Sequence, residues 1–201
     1  MNYGTPKKIP DGRYYLKVTD ADGGRVMVQL NKIRLLTTFT ESDDVTLELN
    51  SAASAKISEI DTQNIIAAKA NCQEWFGKSL ADQTLETAYS KSTQDLTMNT
   101  TKAKVGSQVV TKTFSHDRTV VDTNQLVIGT ECDVILEFSG IWFMKKTFGP
   151  IWRVAQVRLL APPKKLYPDD YLFQDTEESP ESAETDDDYI WKKNPQLIVN
   201  G

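Results

Sequence analysis

Cys132-Asp-Val-Ile-Leu-Glu-Phe-Ser-Gly-Ile-Trp-Phe-Met144 carries the strongest β signal in the chain. Side chains alternate across a strand, so Cys132, Val134, Leu136 and Phe138 share one face, while Asp133, Glu137 and Ser139 share the other. Trp142 continues the even, core-facing series. Gly140 inside the run marks a bulge or sharp bend of the sort a closed barrel needs at its corners. Lys145 to Pro150 turns the chain, and Ile151 to Leu160 returns as a partner strand. On that partner Ile151, Ala155, Val157 and Leu159 face the core, which turns Trp152, Val154, Gln156 and Arg158 outward.

Upstream, Arg13 to Val18 and Arg25 to Leu36 read as two strands joined through Asp20-Ala-Asp-Gly-Gly24, a hairpin with turn-forming residues at its tip. Residues 1–12, with Pro6, Pro10 and Gly12, read as an irregular arm. Val45 to Leu49 alternates as a third strand. The period then changes: Ile57, Ile60, Ile65, Ala68, Cys72 and Trp75 recur at helical spacing and predict an amphipathic helix stopping at Gly77. A short helix over 79–89, strands near 96–99 and 108–114, and a turn over 116–124 complete the pattern. Pro162-Pro163 ends the sheet. The expected architecture is mainly β: an OB-fold-like antiparallel barrel over 13–168 with one inserted helix, a β-sandwich being the alternative.

The formal charge of -5 is unevenly spread. Residues 169–201 hold ten acids and two bases, a net of -8, whereas the other 168 residues hold 21 bases and 18 acids, a net of +3. The last segment is too acidic and too poor in apolar residues to fold alone, so a disordered acidic tail is expected. No run approaches the roughly 18 to 20 apolar residues that cross a bilayer. The opening Met1-Asn-Tyr-Gly-Thr-Pro-Lys-Lys8 lacks a secretory apolar segment. Two isolated cysteines, Cys72 and Cys132, point to a reducing compartment. A soluble intracellular protein is expected.

Catalytic and cofactor chemistry finds no constellation. The one histidine, His116, sits between Ser115 and Asp117, and neighbouring side chains diverge, so no nucleophile–base relay forms there. One histidine and two separated cysteines make no zinc site of the usual ligand type. There is no phosphate-binding Gly-rich loop, and Asp186-Asp187-Asp188 lies in the tail, where nothing fixes ligand geometry. No enzyme, metal or cofactor is expected. The pattern points to binding.

Residues 102–165 hold ten bases against five acids. Bases and rings coincide on the late hairpin in Phe143, Lys145, Lys146, Phe148, Trp152, Arg153 and Arg158, with Lys112 and Arg118 upstream; Tyr14, Arg25, Lys32 and Arg34 on the early strands could line the same groove. Cations that track phosphates beside flat rings that accept unstacked bases are what single-stranded nucleic acid requires. An exposed Trp152 next to Arg153 is the expected stacking platform. The acidic tail could then occupy the groove in the absence of nucleic acid, and its end, with Asp186, Asp187, Asp188, Tyr189 and Trp191, reads as a partner-docking motif. The alternative is a protein-interaction or virion structural module using the same barrel surface as a subunit interface. Strands without clear edge protection also admit a homo-oligomer.

Gly129 to Phe143, followed by Phe148-Gly-Pro-Ile-Trp-Arg-Val-Ala-Gln-Val-Arg-Leu-Leu160, resembles the closing hairpin of single-stranded DNA-binding proteins of large DNA viruses, and more loosely of tailed-phage replication proteins. Tyr171-Leu-Phe173 leading into Asp175 and Glu177 is similar to the start of their tails, and the resemblance covers 125–180. It implies an OB-fold that coats single-stranded DNA in replication, recombination and repair at the host-cell replication site, with the tail recruiting polymerase or helicase. The ending Asn194-Pro-Gln-Leu-Ile-Val-Asn-Gly201 departs from tails that close on an acidic run and an aromatic residue.

Overall fold

The computed structural model describes residues 1–10, 12–161 and 173, and these form a mainly β protein. The N-terminal strands are β1 (Asn2–Tyr3), β2 (Lys7–Lys8), β3 (Tyr14–Thr19), β4 (Val26–Leu35) and β5 (Asp44–Glu48). Helices α1 (Ser51–Ala70), α2 (Cys72–Phe76) and α3 (Asp82–Ala88) follow. Then come β6 (Thr93–Gln94), β7 (Thr97–Lys102), β8 (Lys104–Val105), β9 (Gln108–Val109), β10 (Lys112–Phe114), β11 (Glu131–Phe143) and β12 (Phe148–Leu159). Among the described residues no helix is long and apolar enough to cross a membrane. The tail expected over 169–201, with its docking residues Asp186 to Asp188, Tyr189 and Trp191, lies outside the described residues except for Phe173.

Five strands close a ring in the order β4–β5–β7–β12–β11 and back to β4, with β7 and β12 parallel and the other neighbours antiparallel. Closure removes the edges of those strands and makes an inside and an outside. Leu16, Leu30, Leu47, Val134, Phe138 and Val157 fill the inside.

The first two long strands do not form the expected hairpin. β3 pairs with Gly140–Phe143 of β11 and β4 with Glu131–Phe138, both antiparallel, so β3 and β4 run the same way along one edge of β11. The turn residues between them close a loop on themselves: Asp20 N–H donates to Gly24 O, and the Asp20 carboxylate accepts from Asp22 N and Gly24 N. The chain makes this excursion and resumes its former direction. The opening arm is likewise not irregular throughout, because β1 and β2 are laid antiparallel on β3.

Helix α1 begins where Asn50 accepts from Ala53 N at 2.9 Å, satisfying a first-turn donor. The same amide donates to the carbonyls of Asn31 and Lys32, so one residue both caps the helix and holds the β4 bulge. The buried face of α1 is Ala53, Ile57, Asp61, Asn64 and Ala68, a helical stripe that includes two polar residues. Gly77 ends α2 with φ 69°, the left-handed region where glycine costs least.

Candidate nucleic-acid interface

Three bulges govern which residues the barrel shows to solvent. On β11, Phe138 faces Trp152 and Gly140 faces Ile151, leaving Ser139 unmatched; on β12, Gln156 faces Ile135 and Val154 faces Leu136, leaving Ala155 unmatched. On β4, the step from Leu30 to Ile33 absorbs one extra residue, and Lys32 takes φ 53°. Each extra residue reverses the inside–outside alternation beyond it.

Gly140 is the site of closest approach. A Cβ there would lie 2.1 Å from Leu16 O and 2.5 Å from Tyr15 Cε2, so only glycine lets β3 cross at this point.

The reversal overturns the ring assignments. Trp152 is not an exposed platform: it is 4% exposed, lies 5.1 Å from Phe138 between ring centroids, and donates Nε1–H to Ser92 Oγ at 2.8 Å. The Ala155 bulge is the cause, because it moves Trp152 and Val154 onto the same face as Val157. Phe143 and Phe148 are also buried; their rings stack at 5.9 Å and take Phe76 edge-on, closing one end of the barrel. Trp142, expected in the core, is turned outward by the Ser139 bulge and is half-buried.

The outer face can be read row by row, since side chains directly opposite across neighbouring strands share a face. The first row is Lys7–Tyr15–Trp142. A second is Met27–Glu137–Arg153, and a third is Gln29–Ile135–Gln156–Lys112. A fourth is Asp133–Arg158–Phe114. Asp133 and Glu137 stand four positions apart on β11, about 13 Å. The two carboxylates lie at the bottom of the face, and bases cover them. Arg25 Nη1 stands 3.6 Å from Glu137 Oε2; Arg158 reaches Asp133 Oδ2 with Nη2 at 2.5 Å and Nε at 3.2 Å. Asp133 Oδ1 accepts from Lys32 N at 3.0 Å, which fixes the carboxylate from the other side.

Arg118 projects from the Ser115–Thr119 turn. The Asp117 carboxylate is occupied there by Ser115 Oγ, Thr119 Oγ1 and Thr119 N, which hold its pKa down to about 2. Arg118, Arg153 and Lys112 have no ion-pair partner among the described residues. Arg118 and Arg158 rim a concavity of about 330 Å³ with Phe114, Ile135 and Gln156. At the other end of the strip Tyr15 donates to Ser139 O at 2.6 Å; burial pushes its pKa up, and nearby Arg153 offsets part of that.

The structure therefore brings together Arg25, Arg153, Arg158, Lys112 and Arg118. Arg34 is not part of the strip: Glu48 at 3.5 Å and Glu131 at 3.2 Å bracket it, and this acidic row closes the cationic one. Lys145 and Lys146 are exposed in the turn closed by Met144 N to Thr147 O, beyond the buried Phe143 and Phe148 rings. Tyr14 is 47% exposed opposite Lys8 and Phe143, in the inward phase of β3 at the barrel end. Sequence reasoning missed Tyr15 and Phe114 and misplaced Trp142; Lys7, opposite Tyr15 at the ring end of the face, lies outside the five-base strip. Gly140 was the usable signal for Trp142, because carrying the alternation through a bulge there moves it outward.

Fold and surface define the class: a β-barrel whose outer face carries arginines over buried carboxylates, flanked by half-buried rings. The chain belongs to the family of unknown function DUF5871, whose model matches residues 31–175. No curated protein matches the sequence. Similar solved structures include the single-stranded DNA-binding protein from bacteriophage Enc34 in complex with ssDNA, at 9% identity and TM-score 0.45, covering 81% of this chain and 98% of that one. A second structure of the single-stranded DNA-binding protein from bacteriophage Enc34 matches at 10% identity and TM-score 0.44, covering 79% of this chain and 89% of that one.

Proposed function

We propose that the protein is an OB-fold barrel that binds single-stranded DNA without reading its sequence, through the outer face of β4, β11, β12 and β10. The observation that carries this is the strip of five bases over two buried carboxylates, with Tyr15 and Trp142 at one end and Phe114 at the other. Guanidinium groups held by Asp133 and Glu137 are positioned before a ligand arrives, so the N–H donors they have left meet phosphate oxygens with little ordering cost, while Arg118, Arg153 and Lys112 supply the unneutralised charge. The half-buried rings offer faces to unstacked bases, which a duplex does not present. The resemblance of residues 125–180 extends the proposal to DNA replication, recombination and repair in a viral setting. In that role the acidic segment 169–201 competes for the strip and recruits polymerase or helicase.

A mobility-shift assay with oligo(dT), a duplex of equal length and a matched RNA tests the reading. Oligo(dT) is expected to bind at least about tenfold more tightly than the duplex, the advantage of one or two base–ring stacks. No retardation of oligo(dT), with self-association of the protein in its place, would favour a subunit-interface role for the same surface.

A further inference from the structure

A second concavity, of about 540 Å³, opens where β7 and β12 diverge, and it shares Trp142 with the cationic strip. We propose that it is a nucleobase pocket, which takes one base turned off a strand whose phosphates lie along the arginines. The inference rests on the proposed single-stranded DNA binding and adds a place where base chemistry is felt.

The lining has the two features a base requires. Trp142 and Pro150 supply planar, apolar surface backed by the buried Trp152, and Gln94 and Asn99 supply carboxamides, the side chains suited to a base edge. Lys91 and Asp95 bring one charge of each sign, so the pocket has no net attraction for phosphate, in contrast to the strip beside it. Its volume falls in the range of small-molecule sites. Trp142 joins the two surfaces physically. It stands opposite Tyr15 on the outer face, and its ring lies across Gly149, where a Cβ would come within 3.1 Å of Trp142 Cζ2.

The walls are fixed before any ligand is present. Ser92 donates from N to Asp61 Oδ2 at 2.8 Å and from Oγ to Asp61 Oδ1 at 2.6 Å, while its Oγ accepts from Trp152 Nε1. Asp61 also accepts from Tyr89 OH at 2.7 Å, and Asn64 Nδ2 donates to that hydroxyl at 2.9 Å. The two polar residues in the buried stripe of α1 thus anchor the pocket wall to the helix. Ser90 N donates to Phe148 O at 2.8 Å, and Thr46 Oγ1 donates to Asn99 Oδ1 at 3.0 Å, leaving the Asn99 amino group for a ligand. A base entering here meets an ordered site, as preorganised binding requires.

The test compares the full chain's affinity for (dT)12 with that for an abasic 12-mer having the same phosphates. Wild type is expected to prefer (dT)12 by at least about 5-fold, the least that a single base–ring stack gives. Asn99→Ala, at an exposed position away from the strip, is expected to cut that preference by about 3- to 10-fold, one hydrogen bond's worth, with abasic binding unchanged. Trp142→Ala sets the scale by removing the shared ring. If Asn99→Ala and Gln94→Ala both leave the preference at the wild-type value, the pocket takes no base and the inference is overturned while the phosphate strip stands. If neither oligonucleotide binds, the proposed function fails and this inference falls with it.

Discussion

Replacing Arg118 by alanine is the sharpest probe of the cationic strip, because its expected effect follows from a count. Arg118, Arg153 and Lys112 carry charge with no ion-pair partner among the described residues, whereas Arg25 and Arg158 are already neutralised by Glu137 and Asp133. Only an unneutralised cation displaces condensed counterions when it meets phosphate, and on single strands each contributes about -0.7 to the slope of log affinity against log salt. Three such cations give a slope of about -2, a loss of about 20-fold between 50 and 200 mM salt. Arg118→Ala leaves two, so the slope falls to about -1.4 and the loss over the same range to about 7-fold. Fluorescence anisotropy of labelled oligo(dT) at four or five salt concentrations measures both slopes. Lys69→Ala is the charge-matched control, since that lysine is held by Asp82 and Glu86 on the helices. A wild-type slope flatter than -1, or equal changes for Arg118→Ala and Lys69→Ala, would refute the count and the strip with it.

Gly140→Ala pushes a methyl group against the Leu16 carbonyl, which is backbone and has no rotamer to retreat into. Urea unfolding should show a loss at or beyond the upper end of the roughly 1–3 kcal/mol typical of overpacking, and an unchanged midpoint would contradict the close crossing of β3 and β11. Burial pushes the Asp61 carboxyl above the usual carboxylate range, with hydrogen bonds from Ser92 and Tyr89 offsetting part of the rise. The folded chain holds that proton more tightly than the unfolded chain, so Asp61 stabilises most below the ordinary carboxylate pKa, and the gain is lost as pH rises through the raised value. Measured against Asp61→Asn, which does not titrate, wild-type stability should be relatively greatest at about pH 3 and decline toward neutrality; a relative gain on raising pH would reverse the assignment.

What was legible in the sequence and what was not divides along one physical line. The β11 and β12 strands and the helical period after Ser54 are local patterns, and propensity and alternation carry them; the single helix expected as far as Gly77 instead breaks at Asn71 into α1 and α2, and Gly77 ends only α2. The pairing of β3 is not local. Asp20-Ala-Asp-Gly-Gly24 has the chemistry of a hairpin turn, yet whether a turn reverses the chain or merely loops out depends on which strand waits beside it, here β11, more than a hundred residues on. The site was lost for a related reason. Alternation tells inside from outside only while the count is unbroken, and a single extra residue inverts everything past it. Gly140 advertised one such break; Ala155 and Lys32 carry no comparable mark in the sequence.

The two errors on tryptophan are therefore one error made twice, and their joint correction changes the site's logic. With Trp152 outward and Trp142 inward, the rings and bases of the late hairpin would form one mixed patch. With the bulges counted, the rings near the turn, Phe143 and Phe148, pack against Phe76 and close the barrel. The outer face then keeps bases in its middle and rings only at its ends. The acids follow the same inversion. Asp133 and Glu137 lie on the outward side of β11 yet are buried, because Arg158 and Arg25 lie over them. Acids that would cancel bases in a tally of charge along the chain serve here to aim guanidinium groups outward. Under the proposed reading, phosphate contacts fall in the middle of this face and ring contacts at its ends. That separation of bases from rings follows from the positions of three bulges.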